Sequence, residues 1–297
     1  MQAGWLVLVS MDHQKISQAQ IPAGAVEAAT RLARRLGIDR VDPGILHKSQ
    51  HISIRLFPLD IVARVVSLDQ AGAIERLNRE VAVVQHLVEK SAPVVGLANE
   101  LPAGPHLHEG FALTLWQFVD HVAADADNAA HAASAAAALR RIHEGLADFR
   151  DDLPSFWIKI EQCRDLLENE LALPALQLPD RRFLLMAYDR IRSSMDGLSI
   201  NFAPIHGDAH LGNVFIIADG ARWNDFEDVC IGPREWDIGW LPNRDLNAFE
   251  PVNPDLSSVL RDLRSWCVSV WCWDKYELPE KREAAEYHLG YLRQRFV

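Results

Sequence analysis

His206-Gly207-Asp208-Ala209-His210-Leu211-Gly212-Asn213, continuing as Val214-Phe215-Ile216-Ile217-Ala218-Asp219-Gly220-Ala221-Arg222-Trp223-Asn224-Asp225-Phe226, sets a polar loop directly before a hairpin pattern. Val214 to Ala218 is a short apolar run, Asp219-Gly220 signals a two-residue turn, and Ala221 to Asn224 can return as a partner strand. Asp-Gly favours the tight turn whose twist matches that of its flanking strands. The hairpin predicts Asn213 and Asp225 nearly opposite each other at its open end, where opposed Cβ atoms stand roughly 5 Å apart. An amide carbonyl and a carboxylate so placed suit a small hard cation such as Mg²⁺, which takes oxygen ligands and keeps phosphate oxygens and waters for the rest. Asp208, in the loop that enters the hairpin, is a third carboxylate not needed as a ligand, placed where a base for a hydroxyl nucleophile is wanted. Two other readings compete. His206, Asp208 and His210 alternate like the ligands of a metal-dependent hydrolase, but that chemistry needs further His motifs downstream, and His288 alone follows, in a helical stretch. A polar loop with no chemistry would have to desolvate three acceptor-rich side chains without a cation, which is costly.

Asp, four residues, Asn, a strand-turn-strand and then Asp-Phe is the arrangement of the protein-kinase catalytic loop and metal-binding Asp. With His206-Gly207-Asp208 in place of His-Arg-Asp, the chain resembles the aminoglycoside phosphotransferase and choline kinase family of kinase-like small-molecule phosphotransferases. Asp225-Phe226-Glu227, the Gly232-Pro233 turn and Asp237 opening a helix resemble that family's second signature. The resemblance covers roughly residues 40–275 and is specific over 206–239. It implies an α+β, bilobal protein-kinase-like fold: a small N-terminal antiparallel-sheet lobe over residues 1–118 with a leading helix, and a larger, mostly helical lobe over 119–297. It implies Asp208 as the base, and Asn213 and Asp225 as the holders of Mg²⁺.

The same resemblance assigns the nucleotide grip. Ile45 to Val66 reads as a pair of strands, with Ile52, Ile54 and Leu56 alternating, a turn at Pro58-Leu59-Asp60, and Ile61 to Val66 returning. Arg64 takes the place of the strand lysine of protein kinases; a guanidinium is permanently charged and grips phosphate oxygens through two N–H groups. Glu80, on an amphipathic helix over 75–89 with Leu77, Val81, Val84 and Val88 on one face, resembles the helix glutamate that pairs with this cation. The loop His47-Lys48-Ser49-Gln50-His51 has none of the glycines that phosphate-cradling loops normally use, and Ser49 stands for it at the nucleotide. Phe111 to Trp116 alternates as a strand and runs into the hinge, where Gln117 and Val119 are placed at the adenine edge. His206 is read as orienting the loop, Gly207 and Gly232 as permissive turns, and Asp237 as an anchor for the catalytic loop.

Length and composition fit this frame. The 297 residues suffice for one large or two ordinary domains, and 49% hydrophobic with 24% charged residues is a globular balance. No run is long enough for a membrane span, and Trp5 to Val9 is too short for a signal-peptide core. Cys163, Cys230, Cys267 and Cys272 lack metal-type spacing and read as free thiols in a cytoplasmic protein. The net charge of −11 argues against nucleic acid and anionic membrane as partners. Residues 1–120 carry −1 and the remainder −10, so the acidity lies in the half expected to hold the acceptor. That tilts the acceptor towards an amine-bearing one, although a solvated acidic surface is the commoner cause of such a bias.

Elsewhere the periodicity predicts helices over 25–36, 127–144, 156–170, 181–198, 256–273 and 280–295. The aromatic stripe of the 256–273 helix is read as core in preference to a ligand platform. The reading is therefore a kinase moving the γ-phosphate of ATP, or GTP, to a hydroxyl of a small acceptor such as an aminoglycoside or amino alcohol, acting as a monomer or a homodimer. A nucleotide-binding pseudokinase with a scaffold or sensor role is the alternative, supported only by Arg64 and the glycine-free loop.

Overall fold

The computed structural model describes residues 23–48, 51–241, 249 and 252–297. Ser49, expected at the nucleotide phosphates, and the apolar run Trp5 to Val9 lie outside the described residues. Helix α1 (Ala23–Arg35) leads into strands β1 (Asp42–Lys48), β2 (Ile52–Phe57) and β3 (Ile61–Ser67), then helix α2 (Ala73–Glu89), β4 (His106–His108) and β5 (Phe111–Gln117). The pair of strands expected over 45–66 is thus three. They form an antiparallel sheet in the order β1-β2-β3-β5-β4.

Alternation along β3 and β5 decides what this sheet presents. Ile61, Ala63 and Val65, with Leu113 and Leu115, pack against Ala25, Ala28, Ala29 and Leu32 of α1. Side chains one residue out of phase point to the other face, where Val66 and Ala112 meet Leu77 of α2. Arg64 is on that second face, paired in register with Thr114. The buried face of α2 is Leu77, Glu80, Val83, Val84 and Leu87, while Val88 is exposed. The stripe expected from the sequence included Val81 and Val88; tertiary packing has rotated it so that Glu80 faces inward.

The rest is mostly helical, and the molecule is bilobal. After β6 (Val122–Ala123) come α3 (Ala129–Leu146), α4 (Trp157–Glu168) and α5 (Leu178–Ser194). Then follow β7 (Phe202–Ile205), β8 (Val214–Ile217), β9 (Gly220–Trp223), β10 (Cys230–Pro233), α6 (Arg234–Ile238), α7 (Pro254–Trp273) and α8 (Pro279–Phe296). Asn128 caps α3 by accepting from the N–H of Ala130, and Asn253 caps α7 by accepting from those of Asp255 and Leu256, each satisfying helix-end donors. The stripe of α7 is core: Leu260, Leu263, Trp266 and Val270 are buried against α4, α5 and α8, and the Trp266 indole donates to Leu184 O at 2.8 Å. Arg181, buried at the start of α5, donates to the carbonyls of Leu167 at 2.7 Å and Asn169 at 3.0 Å. It thereby caps the end of α4 with a side chain distant in sequence.

The four cysteines are free and buried. No described helix is long and apolar enough to cross a membrane.

Candidate active site

The hairpin forms one residue out of step with its expected turn. Ile217 pairs with Gly220, so Ala218-Asp219 is the loop and Gly220, at φ +122°, closes it. Val214 pairs with Trp223, which sets Asn224 opposite Asn213; the Asn224 N–H donates to Asn213 O at 3.0 Å. Asp225 comes one residue later, with φ +67°. A left-handed conformation in a non-glycine residue costs roughly 1–2 kcal/mol, and it turns Asp225 out of the strand direction at the mouth of the hairpin.

The loop before the hairpin is held from behind. Asp237, fully buried, accepts from the N–H groups of His206 (2.8 Å) and Gly207 (2.9 Å), and His143 Nε2 lies 2.8 Å from the same carboxylate. This is the anchor expected of Asp237, and it also engages His143 of α3. Gly207 sits at φ +83°, where a Cβ would stand 2.0 Å from Asp228 O; no other residue fits. Gly232 is a different case from the permissive turn expected. It is a strand residue of β10 whose absent Cβ would meet Ile205 Cδ1 at 2.6 Å, so it serves close packing. His206 is buried with Nε2 3.1 Å from Asn224 O, and its Nδ1 accepts the Asp208 N–H at 3.3 Å. Both ring nitrogens therefore face backbone, which leaves neither aimed at a shared ion as the hydrolase alternative requires.

Around this frame the expected residues converge. The Asn213 amide nitrogen donates to Asp208 O at 2.9 Å, leaving Oδ1 as its acceptor. Arg64 Nη1 donates to Glu80 Oε1 at 2.5 Å, and Nη2 donates to Asn224 Oδ1 at 2.9 Å. Glu80 Oε1 also accepts the Phe226 N–H at 3.1 Å, so one carboxylate ties α2, β3 and the Asp-Phe segment together. Asp225 Oδ1 is 3.7 Å from Arg64 Nη1, and Asp225 accepts no hydrogen bond among the described residues. Burial pushes the Glu80 carboxyl up from its ordinary value, with Asp225 and Glu227 adding to the rise and Arg64 opposing it. Arg64 itself stays charged: burial works against it, but Glu80, Asp225 and Glu227 more than compensate. Three carboxylates thus surround one guanidinium, a local excess of negative charge. Among the described residues no group of three or more His, Cys, Asp or Glu could hold a metal alone. Two protein oxygens, one amide and one carboxylate, could hold a hard cation that takes its other ligands from phosphate and water.

After β5, where the hinge is expected, the Gln117 N–H donates to Gly96 O at 2.9 Å and its side chain to Asn99 at 2.8 Å. Its N–H and amide are therefore engaged within the protein. Val119 O lies 2.7 Å from His121 Nδ1, and the His121 ring stacks on Phe215.

Three charged partners escaped the sequence reading. Arg264 of α7 pairs with Asp208 Oδ1 and donates to Gly207 O at 3.0 Å. Lys159 of α4 pairs with Asp228, and Arg79 donates to Glu227 O at 3.0 Å. The signal for Arg264 was an arginine inside the apolar stripe of a helix, between Leu260, Leu263 and Trp266. Burial raises the Asp208 carboxyl, but His210, Arg264 and Lys159 outweigh it and hold it well below the usual carboxylate range. Asp228 is pushed up by burial, with Asp208 and Asp225 adding to it against Lys159. Of the acidic residues that follow Asp225, Glu227 stands beside His51, Arg64 and Arg76, Asp228 faces Lys159, and Glu235 accepts from Asn253 N at 3.4 Å.

Residues 60–277 match the model of the phosphotransferase enzyme family. The chain belongs to that family. Its members are small-molecule phosphotransferases. No curated protein matches the chain in sequence, but solved structures share its fold. A choline/ethanolamine kinase family protein from Mesorhizobium loti superposes with a TM-score of 0.69 at 13% identity, covering 90% of this chain and 93% of that one. The GDP complex of aminoglycoside 2'-phosphotransferase-IIIa gives 0.66 at 14% identity, covering 92% and 99%. Amicoumacin kinase in complex with AMP-PNP, Ca²⁺ and Ami gives 0.66 at 12%, covering 86% and 88%. At these identities the likeness is one of fold.

Proposed function

We propose that the protein transfers the γ-phosphate of a nucleoside triphosphate, ATP or GTP, to a hydroxyl of a small acceptor. The single observation that carries this is the convergence of Asp208, Asn213 and Asp225 on one loop and hairpin, with Arg64 clamped to Glu80 across from them. The residues fit Mg²⁺: two hard oxygens, Asn213 Oδ1 and the Asp225 carboxylate, stand beside an unbalanced negative cluster. When bound, the ion would supply charge neutralisation of the terminal phosphates. Arg64 binds the inner phosphates, and Glu80 aims its guanidinium. Asp208 accepts the hydrogen bond of the acceptor hydroxyl and orients it for in-line attack; phosphoryl transfer needs chiefly positioning and charge stabilisation. With its carboxyl held ionised, Asp208 takes up the proton late, when the phosphorus–oxygen bond has formed.

Val119 belongs to the adenine edge in this reading, and Gln117 contributes its carbonyl, since its N–H is already donated. The lobe division falls between residues 118 and 119. The acidity of residues 121–297 supports an amine-bearing acceptor, to be bound away from Asp208, whose carboxylate is already met by Arg264. The complex-forming relatives above, holding GDP in one case and AMP-PNP with Ca²⁺ in another, support nucleotide and divalent-ion use.

The test is nucleoside-diphosphate release with Mg²⁺ and ATP or GTP, over aminoglycosides, amino alcohols, macrolides and sugars, beside Asp208→Asn. Acceptor-dependent release that collapses in the variant is expected. Tight nucleotide binding with no release would favour the pseudokinase.

A further inference from the structure

Arg264 is the one charged side chain buried within a helix stripe of α7 that points at the catalytic loop. It is 5% exposed, and its guanidinium carbon lies 4.2 Å from the ring centre of Trp240, 4.8 Å from Trp236 and 5.9 Å from Trp271. Aromatic faces attract a cation, more strongly once it is desolvated, so the head group is boxed in place. Its fork then makes two contacts at once: Nη1 to Gly207 O at 3.0 Å, and Nη2 to Asp208 Oδ1. Asp208 Oδ2 has only long contacts, 3.4 Å to His210 Nε2 and 3.5 Å to Asn213 Nδ2, and the side chain is about a third exposed, at 32%.

We propose that Arg264 is a positioning residue for phosphoryl transfer: held by the three tryptophans, it locks Oδ1 of Asp208 and turns Oδ2 towards the acceptor hydroxyl. This rests on the reading of Asp208 given above. A planar fork bridging a carbonyl and a carboxylate defines the carboxylate plane; a lysine ammonium, a point charge, cannot do both in the same geometry. The proposal also accounts for why a cation is buried here without an acidic partner of its own in the helical core.

The test compares wild type, Arg264→Met, Arg264→Lys, Asp208→Asn and the double variant Asp208→Asn/Arg264→Met. Turnover is measured on MgATP and on MgGTP with kanamycin, choline and ethanolamine, and on each nucleotide alone, where water is the acceptor. Nucleotide affinity is read separately by displacement of a fluorescent nucleotide. We expect Arg264→Met to lower kcat roughly 100-fold, the scale of a misplaced reacting group, with nucleotide affinity changed less than about threefold. We expect Arg264→Lys to recover part of the loss, and added methylguanidinium to rescue Arg264→Met. In the Asp208→Asn background the Met substitution should add nothing, because residues acting through one another are non-additive. Full additivity, or a loss confined to nucleotide affinity, would overturn the positioning role while leaving the kinase reading intact. Asp208→Asn at wild-type turnover, or a wild type that consumes neither MgATP nor MgGTP with any acceptor, would defeat the reading on which the role rests. Because a folding failure would mimic loss of turnover, retained nucleotide binding is required of every variant. If Arg264→Met does not bind nucleotide, the Lys variant alone decides, and wild-type kcat in it would refute the proposal.

Discussion

Asp237→Asn is the sharpest structural test of how the loop that enters the β8–β9 hairpin is held. The carboxylate is fully buried and faces three groups: His206 N–H and His143 Nε2 at Oδ2, and Gly207 N–H at Oδ1, all within 2.8–2.9 Å. Asparagine keeps the shape, removes the charge and turns one acceptor oxygen into an NH₂ group. In either amide orientation one backbone N–H, that of Gly207 or of His206, then faces a donor. His143 can adapt by exchanging its tautomer, but a backbone amide cannot. An unsatisfied buried N–H costs about 1–3 kcal/mol, and the surviving contacts lose their charge assistance, so the total is roughly 3 kcal/mol. Urea unfolding of wild type and variant should show a lower midpoint at unchanged slope, and heating should show a fall of roughly 6–12 °C for a chain of this size. A loss below about 1 kcal/mol would mean that Asp237 does not anchor the loop.

Glu80→Gln should weaken nucleotide binding about tenfold, or about 1.4 kcal/mol, because the clamp on Arg64 keeps its shape but loses its charge; unchanged affinity in a nucleotide titration would contradict the clamp. Glu227 is raised by burial but more strongly lowered by His51, Arg64 and Arg76, to about 2 from an ordinary 4.5. A carboxyl depressed on folding contributes stability above its unfolded pKa and loses it as pH falls towards the folded one. Glu227→Gln should therefore be less stable than wild type by roughly 1–3 kcal/mol above pH 4.5, with the two converging towards pH 2 in urea midpoints; parallel curves would refute the pairing. Arg181→Met should cost roughly 2–4 kcal/mol by stripping the carbonyls at the end of α4 of their buried donor, and calorimetry showing no shift would place those carbonyls in contact with water.

What the sequence made legible was local. Asp208, Asn213 and Asp225 lie within one loop and hairpin, so spacing alone brought them together, and the aromatic period of α7 showed a core face. Errors arose where a tertiary neighbour decided the outcome. The pair of strands expected over 45–66 became three because Asp42 to Lys48 pairs along the edge of β2 as a strand of its own. Gly220 pairs with Ile217 where Asp219-Gly220 looked like the loop, which moved Asp225 past the opposed position. Val81 and Val88 fit a helical stripe as well as Val83 and Leu87 do; the packing of Val83, Val84 and Leu87 on Leu139, Ile142 and Leu146 of α3, with Glu80 turned to Arg64, chooses between them. Arg264 and Lys159 reach the site from helices whose docking no local pattern reveals.

The most direct measurement follows the phosphorus. Phosphorus NMR of MgATP or MgGTP with the protein and each acceptor should show a new phosphomonoester signal growing with nucleoside diphosphate, present in wild type and absent in Asp208→Asn and Asp225→Asn. A bound, unconsumed nucleotide with no phosphoester from any acceptor would contradict the account.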